Sequence, residues 1–365
     1  MSDQQPTMID LFSGAGGMTL GFTRAGFRSI AAVEHIEAFA ATYAANFGAH
    51  VLATPIEEAV ARLKGVKADV VVGGPPCQGF SNLTGNRADD FRRALWRYYM
   101  DVVESSECSL FVMENVPNLL KSPEGEEVIR TARDLGFWVD AKVLTASKFG
   151  VPQNRRRTFI VGSRLGMIDL PEGNGKKTTL RQAFDGIPLA PTVREFRPTD
   201  SPTTTSNLHI GRNPTATSLA RYALIPPGGN RFDLQRLAPE LTPGCWIRKT
   251  SGGTDLFGRL EWDEPARCTI RTEFYKPEKG RYLHPSENRP ITHWEAARLQ
   301  SFPDDFLWCG TKIQIAIQIG NAVPPKLAEA VARGVAEHLG TRAAVSAANS
   351  RASRNLNAQR TFGRP

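Results

Sequence analysis

Asp10-Leu11-Phe12-Ser13-Gly14-Ala15-Gly16-Gly17 joins a short apolar run, Met8–Phe12, to a helical pattern, Met18–Ala25. The run reads as a buried strand. The glycines mark a turn that brings backbone N–H groups to the start of the helix behind it. The same alternation continues down the chain. Ser29–Val33 reads as a strand, Ala38–Asn46 as a helix, and Val70–Gly73 and Leu110–Glu114 as further bulky runs bounded by polar residues, Gly or Pro. Arg157–Ser163 looks like a late strand of the same sheet. Short buried strands separated by helices predict a parallel sheet with right-handed crossovers, that is, a doubly wound α/β domain.

The pattern breaks at Leu180–Glu287, which is rich in Pro, Gly, Thr and Arg and shows no long amphipathic helix. Clusters such as Pro226-Pro227-Gly228-Gly229 and Thr250-Ser251-Gly252-Gly253 predict loops and short strands there. Order returns at Thr292–Gln300, a helix with Thr292 as N-cap and Glu295 completing a capping box, and at Pro325–Leu339, a last helix with Pro in its first turn. The expected division is a first domain over 1–180, an irregular smaller domain over 181–285, a return to the first over 286–340, and a tail over 341–365 with the composition of a flexible basic arm.

Of the 365 residues 41% are hydrophobic and 22% charged, which excludes a fibrous or wholly disordered chain. No run approaches the ~18 apolar residues of a spanning helix, and MSDQQPT lacks the basic stretch and apolar run expected of a secretory signal. Five scattered cysteines without a C-x-x-C pair argue against a disulfide framework or a zinc cluster, so no metal and a reduced, cytoplasmic setting are expected. The net charge is +8, and the tail alone holds five arginines and no acid. Lys142–Arg181 adds nine basic residues against two acidic ones, including Arg155-Arg156-Arg157. Such placement points to a polyanion partner, although a solvated basic face would look the same.

The glycine turn is not a nicotinamide or P-loop site. Thr19 stands where G-x-G-x-x-G needs its third glycine, and no Gly-Lys-Ser/Thr follows. Glu34, at the end of the next strand, is placed to bond a ribose hydroxyl pair, which suits an adenosine-type cofactor without a pyrophosphate. Gly73-Gly74-Pro75-Pro76-Cys77-Gln78-Gly79-Phe80-Ser81 puts a cysteine at the rigid carboxyl edge of the sheet, where a nucleophile would meet a ligand. Glu114-Asn115-Val116 ends another strand at the same edge, and burial would fit Glu114 for proton donation, against the plainer role of a loop-closing carboxylate. In Gln153-Asn154-Arg155-Arg156-Arg157, alternation puts Arg155 and Arg157 on one face and leaves Arg156 to solvent.

In this order, and with Arg289–Phe306 and Gln318–Pro325 following, these segments resemble the bacterial C5-cytosine-specific DNA methyltransferase family over most of 8–180 and 282–340. The resemblance implies a Rossmann-like methyltransferase sheet with a smaller target-recognition domain. It further implies transfer of a methyl group from S-adenosyl-L-methionine to C5 of a cytosine flipped out of duplex DNA. Cys77 then resembles the nucleophile that attacks C6, Glu114 the group at N3 and the exocyclic amine, Arg157 the support of the flipped base and Arg155 its companion. Phe12, Gly14, Gly16, Glu34, Pro76, Asn321 and Val323 resemble the cofactor site. One departure stands out: Pro55 occupies the place of an expected acidic adenine contact. The partners implied are double-stranded DNA and a cognate restriction endonuclease, with the chain itself a monomer.

The tRNA-modifying branch of the same chemistry is the nearest alternative, and Gln78-Gly79-Phe80-Ser81 favours the DNA branch. A non-catalytic DNA-binding relative would be expected to have lost Cys77, Glu114 or Arg157. Asn82–Tyr98, with Arg87, Arg92, Arg93 and Arg97, reads as a loop closing over DNA. In the insert, Arg212, Arg221, Arg231, Arg248, Lys249 and Arg271 are candidates for base or phosphate contact. Thr269-Ile270-Arg271-Thr272 reads as a strand facing the cleft, with Arg271 either reading a base or paired with Glu273 or a neighbouring surface carboxylate.

Overall fold

The computed structural model describes residues 5–76, 95–193, 195–197, 201–248 and 251–340. Seven strands, β1 (Thr7–Leu11), β2 (Arg28–Val33), β3 (Val51–Leu52), β4 (Val70–Gly73), β5 (Leu110–Asn115), β6 (Trp138–Thr145) and β7 (Arg156–Ser163), form one sheet in the order β3-β2-β1-β4-β5-β7-β6. Helices α1 (Gly17–Arg24), α2 (Glu37–Phe47), α3 (Ile56–Leu63), α4 (Leu95–Ser105) and α5 (Pro123–Asp134) connect them. Alternation along the strands supplies both faces. Ile9, Leu11, Val71, Phe111, Met113 and Ile160 pack with Leu63, Tyr99, Val103 and Val128. Met8, Val70, Val72, Leu110, Val112, Phe159 and Val161 pack on the other face with Met18 and Phe22. The doubly wound α/β expectation holds.

The all-parallel expectation fails at β7, which runs antiparallel to both β5 and β6. The ten residues 146–155 between β6 and β7 are too few for the crossover that a parallel neighbour demands. The expected loop Asn82–Tyr98 lies outside the described residues as far as position 94, and its end is helical: Arg97 belongs to α4, 3.6 Å from Glu127.

Beyond the sheet come α6 (Leu180–Ala183), β8 (Thr203–Thr204), α7 (Ala216–Ala223), α8 (Arg231–Leu237) and α9 (Gly244–Ile247). Tyr222, Ile225, Leu234, Trp246, Phe257 and Leu283 form a small apolar cluster of their own there. Loops without strand partners leave carbonyls unsatisfied, and a guanidinium with five N–H donors can hold several. Buried Arg259 donates to the carbonyls of Tyr222, Ile225, His284 and Glu287 and to Asn288 Oδ1. Buried Arg281 takes those of Gly228, Gly229, Thr254 and Arg259. Arg231 holds Ser251 and Gly252 in the same way.

The return carries α10 (His293–Leu299), β9 (Leu307–Trp308, paired with β8), α11 (Lys312–Asn321) and α12, residues 325–340. The Thr292–Glu295 capping box forms as expected. Among the described residues no helix is long and apolar enough to cross a membrane. The last helix reaches α1 through glycine: a Cβ on Gly21 would fall 2.5 Å from both Ala328 Cβ and the Glu329 nitrogen. Gly21→Ala must therefore push α1 and α12 apart and should cost on the order of 1–3 kcal/mol. A urea midpoint equal to wild type would show that these helices separate without strain.

Candidate active site

The carboxyl ends of β1, β2, β4 and β5 gather along one edge of the sheet. From β1 the chain enters the glycine turn, with Phe12 at φ 57°, Gly14 at φ 54° and Gly16 at φ 89°. Ser13 N–H donates to the Val33 carbonyl, tying the turn to β2. Glu34 ends β2, and its carboxylate accepts from Gly14 N–H at 2.9 Å and Ile36 N–H at 2.8 Å. A Cβ on Gly17 would fall 2.3 Å from the carbonyl oxygen of Val323, so the distant Gln318–Pro325 segment closes directly on the turn. Phe12, Gly14, Gly16, Glu34 and Val323 thus come together. Among the described residues two buried polar atoms here have no hydrogen-bond partner, Asp10 Oδ1 at the end of β1 and Ser13 Oγ in the turn, as expected of a site for a polar ligand. These residues fit an adenosine-type cofactor carrying a cationic sulfur. Pro55 caps the N-terminus of α3 instead of offering a carboxylate.

At the neighbouring strand ends lies a second cluster. Glu114 is 8% exposed, and Arg157 Nε stands 2.9 Å from its Oε1. Antiparallel register explains the meeting: Asn115 pairs with Thr158, so the residue before Thr158 lies alongside the end of β5. Burial pushes the Glu114 carboxyl above its ordinary range, and the charges of Arg157 and Arg155 only partly oppose that. Gly74 leaves room for this carboxylate, since a Cβ there would sit 3.1 Å from Glu114 Oε2. Asn115 Nδ2 donates to the Pro75 carbonyl at 3.0 Å and so fixes the path of the Gly73–Pro76 segment. Pro76 lies at its end, and Cys77, next in the chain, lies outside the described residues.

Arg155 is engaged by other groups than Arg157 is. Its buried guanidinium donates to the carbonyls of Ile270, Gly320 and Asn321, at 3.2, 3.0 and 3.3 Å. Asn321 therefore reaches this site through its carbonyl. Gln153, fully buried, accepts from Ile270 N–H at 3.1 Å and donates to the Leu299 carbonyl and to Gln300 Oε1, both at 2.8 Å. Both main-chain polar groups of Ile270 are thus held by side chains two residues apart in the loop before β7. This corrects the expected strand at Thr269–Thr272: its backbone bonds to side chains, not to a neighbouring strand. Gln153 and Gln300 were within reach of sequence reading only as members of their motifs. Their partners lie 117 and 147 positions apart and leave no local signal.

Of the proposed DNA contacts, Arg271 is exposed one residue beyond this clamp, and Glu273 pairs with Lys276 at 2.6 Å instead of with Arg271. Arg248 is also exposed. Arg231 is buried on loop carbonyls, while Arg212 and Arg221 donate to the carbonyls of Tyr275 and Leu241. Lys249, Arg87, Arg92, Arg93 and the tail lie outside the described residues.

Comparison with known proteins places this arrangement. The family model for C-5 cytosine-specific DNA methylase matches residues 6–337. The Type II methyltransferase M1.HphI of Haemophilus parahaemolyticus is 36% identical, over 90% of this chain and 86% of that protein. M.XorII of Xanthomonas oryzae pv. oryzae is 34% identical, over 90% and 84%. Among solved structures, a prophage-encoded E. coli protein described as a DNA modification methyltransferase superposes with TM-score 0.69 and 25% identity, covering 92% of this chain and 99% of that one. Carrying this family's sheet, its ordered motifs and its match over nearly all the described residues, the chain belongs to the C-5 cytosine-specific DNA methylases.

Proposed function

We propose that this DNA cytosine-C5 methyltransferase takes its methyl group from S-adenosyl-L-methionine and works through a covalent bond from Cys77 to C6 of a flipped-out cytosine in a specific duplex sequence. The observation that carries this reading is the buried Glu114–Arg157 pair beside the Gly73–Pro76 segment. Cytosine C5 is a weak nucleophile until a group adds at C6. Cys77 is the thiol next in sequence to the anchored Pro75-Pro76. Glu114, holding its proton to higher pH than an exposed carboxyl, protonates N3 as the thiolate adds, and C5 gains enamine character. Arg157 keeps the carboxyl oriented and stabilises the carboxylate that remains. When bound, the cofactor supplies an electrophilic methyl group, and Phe12, Gly14, Gly16, Glu34, Pro76, Asn321 and Val323 are the residues that would hold it. Extruding the base costs a few kcal/mol, offset by contacts at this edge.

Residues 1–180 and 286–340 carry the chemistry in this reading, and 181–285 choose the target. The chain acts as a monomer in the cytoplasm. The Type II names of its relatives favour a cognate restriction endonuclease acting on the same site.

Cys77→Ser should abolish methyl transfer while DNA and cofactor binding persist, and duplexes carrying 5-fluorocytosine should trap the wild-type enzyme as an adduct stable to denaturation. Turnover within tenfold of wild type, or no adduct under turnover conditions, would defeat the covalent route. Glu114→Gln should lower kcat by roughly 10²–10⁴-fold. Because the protonated acid is the active form, wild-type activity should decline as pH rises through the raised Glu114 pKa, and the variant should lack that limb. Gln153→Met keeps the volume but releases Ile270. In bisulfite profiling over a randomised duplex library it should relax preference at the same base pair as Arg271→Ala, whereas an unchanged profile would make the clamp irrelevant to target choice.

A further inference from the structure

Beneath the glycine turn lies a line of five polar side chains that the methyl-transfer chemistry does not use. Thr19 Oγ1 donates to Asp10 Oδ2 at 2.5 Å and lies 3.0 Å from Tyr43 Oη. Tyr43 Oη is 2.8 Å from Ser29 Oγ, which is 2.9 Å from His50 Nε2. When Asp10 is ionised the Thr19 hydrogen goes to it, and the order that follows has Tyr43 donating to Thr19, Ser29 to Tyr43 and His50 Nε2–H to Ser29; when Asp10 is protonated the whole order runs the other way. The line joins β1, α1, α2 and β2 to the partly exposed His50 just before β3. It ends on a carboxyl that is 1% exposed and whose second oxygen has no hydrogen-bond partner among the described residues.

We infer that Asp10, Thr19, Tyr43, Ser29 and His50 form a proton path, through which Asp10 loses its proton to solvent as the cationic cofactor binds above it. The inference rests on the cofactor reading given above. Every hydrogen bond in the line can reverse. Starting from neutral Asp10, its proton passes to Thr19, the Thr19 proton to Tyr43, the Tyr43 proton to Ser29 and the Ser29 proton to His50 Nε2. His50 then sheds Nδ1–H to water. Four protons each shift by one position, one leaves the protein, and the line is left in the order that suits an ionised Asp10.

The surroundings favour a neutral Asp10 until a cation arrives. Among the described residues the titratable groups facing it are Glu34 at the end of β2, Tyr43 on α2 and Tyr99 on α4, and none of these is cationic. Burial, with a smaller contribution from Glu34, raises the carboxyl to about 7 despite the hydrogen bonds from Thr19. Burial also lowers His50, so near neutral pH the outer end is an uncharged acceptor. A sulfonium brought to the turn favours the carboxylate, and the line supplies an exit from a site closed to water.

The test is calorimetric and kinetic. Binding enthalpies in buffers of differing ionisation heat should show a substantial fraction of one proton released per S-adenosyl-L-methionine near pH 7, and little above about pH 9. S-adenosyl-L-homocysteine, which lacks the sulfur charge, should release less. Asp10→Asn should abolish the release. Tyr43→Phe should keep the proton count but slow the release at least tenfold in stopped flow with an indicator dye. In ligand-free enzyme, infrared pH-difference spectra should show a buried carboxylic acid band that fades near neutrality and is missing from Asp10→Asn. Binding without proton release, release that survives Asp10→Asn, or an unchanged rate in Tyr43→Phe would each overturn the path. If the cofactor did not bind at all, the cofactor reading would fail, while the infrared arm would still judge Asp10 by itself.

Discussion

The buried Glu114 carboxyl at the rim of the sheet has a cation beside it because the reversed strand β7 delivers Arg157 to the same edge. Had β7 run parallel, its first residues would lie at the opposite end and Arg157 could not meet Glu114. Antiparallel register brings the two within 2.9 Å. An unpaired charge at such a site would cost about 3–5 kcal/mol, so the direction of one strand governs whether the site can be built. The same short link from β6 to β7 carries Gln153 and Arg155, and the insert is attached through them.

Cohesion in the insert follows a different rule from cohesion in the sheet. In the sheet, strands satisfy one another's backbone groups. In the insert, Arg231, Arg259 and Arg281 act as hubs that collect carbonyls from loops far apart in sequence. A basic residue there is as much a backbone-binding group as a source of external charge. The net charge of +8 therefore overstates the positive charge that faces outward, although Arg248 and Arg271 are exposed.

The sheet was legible because its signals are local. Met8–Phe12, Val70–Gly73 and Leu110–Glu114 are bounded apolar runs, and the strands match them to within a residue or so. The Thr292–Glu295 box was legible for the same reason. The direction of β7 was encoded in a connection length, which a strand-by-strand reading passes over. Thr269–Thr272 alternates like a strand yet bonds to Gln153 and Arg155, because long-range side-chain donors can replace a ladder without altering the local pattern. The ordered motifs brought Glu114, Arg157, Glu34 and the glycines into view, and the structure gathers them along one edge. The engagement of Arg155 with three carbonyls depends on segments more than a hundred residues away.

The contact of Gly17 with the Val323 carbonyl has a consequence for synthesis. Chains emerge from the ribosome N-terminus first, and domains tend to fold as they appear. Every strand of the large sheet has been made by Ser163, yet the glycine turn gains its lid only when the segment around Val323 arrives, and α1 gains its partner only with α12. For the interval in which the insert is being translated, one apolar face of the sheet remains without Leu327, Val331 and Val335. The nascent protein thus carries an uncovered apolar surface for some 160 residues of elongation, and a message broken anywhere in that interval yields a product whose glycine turn is left without its lid.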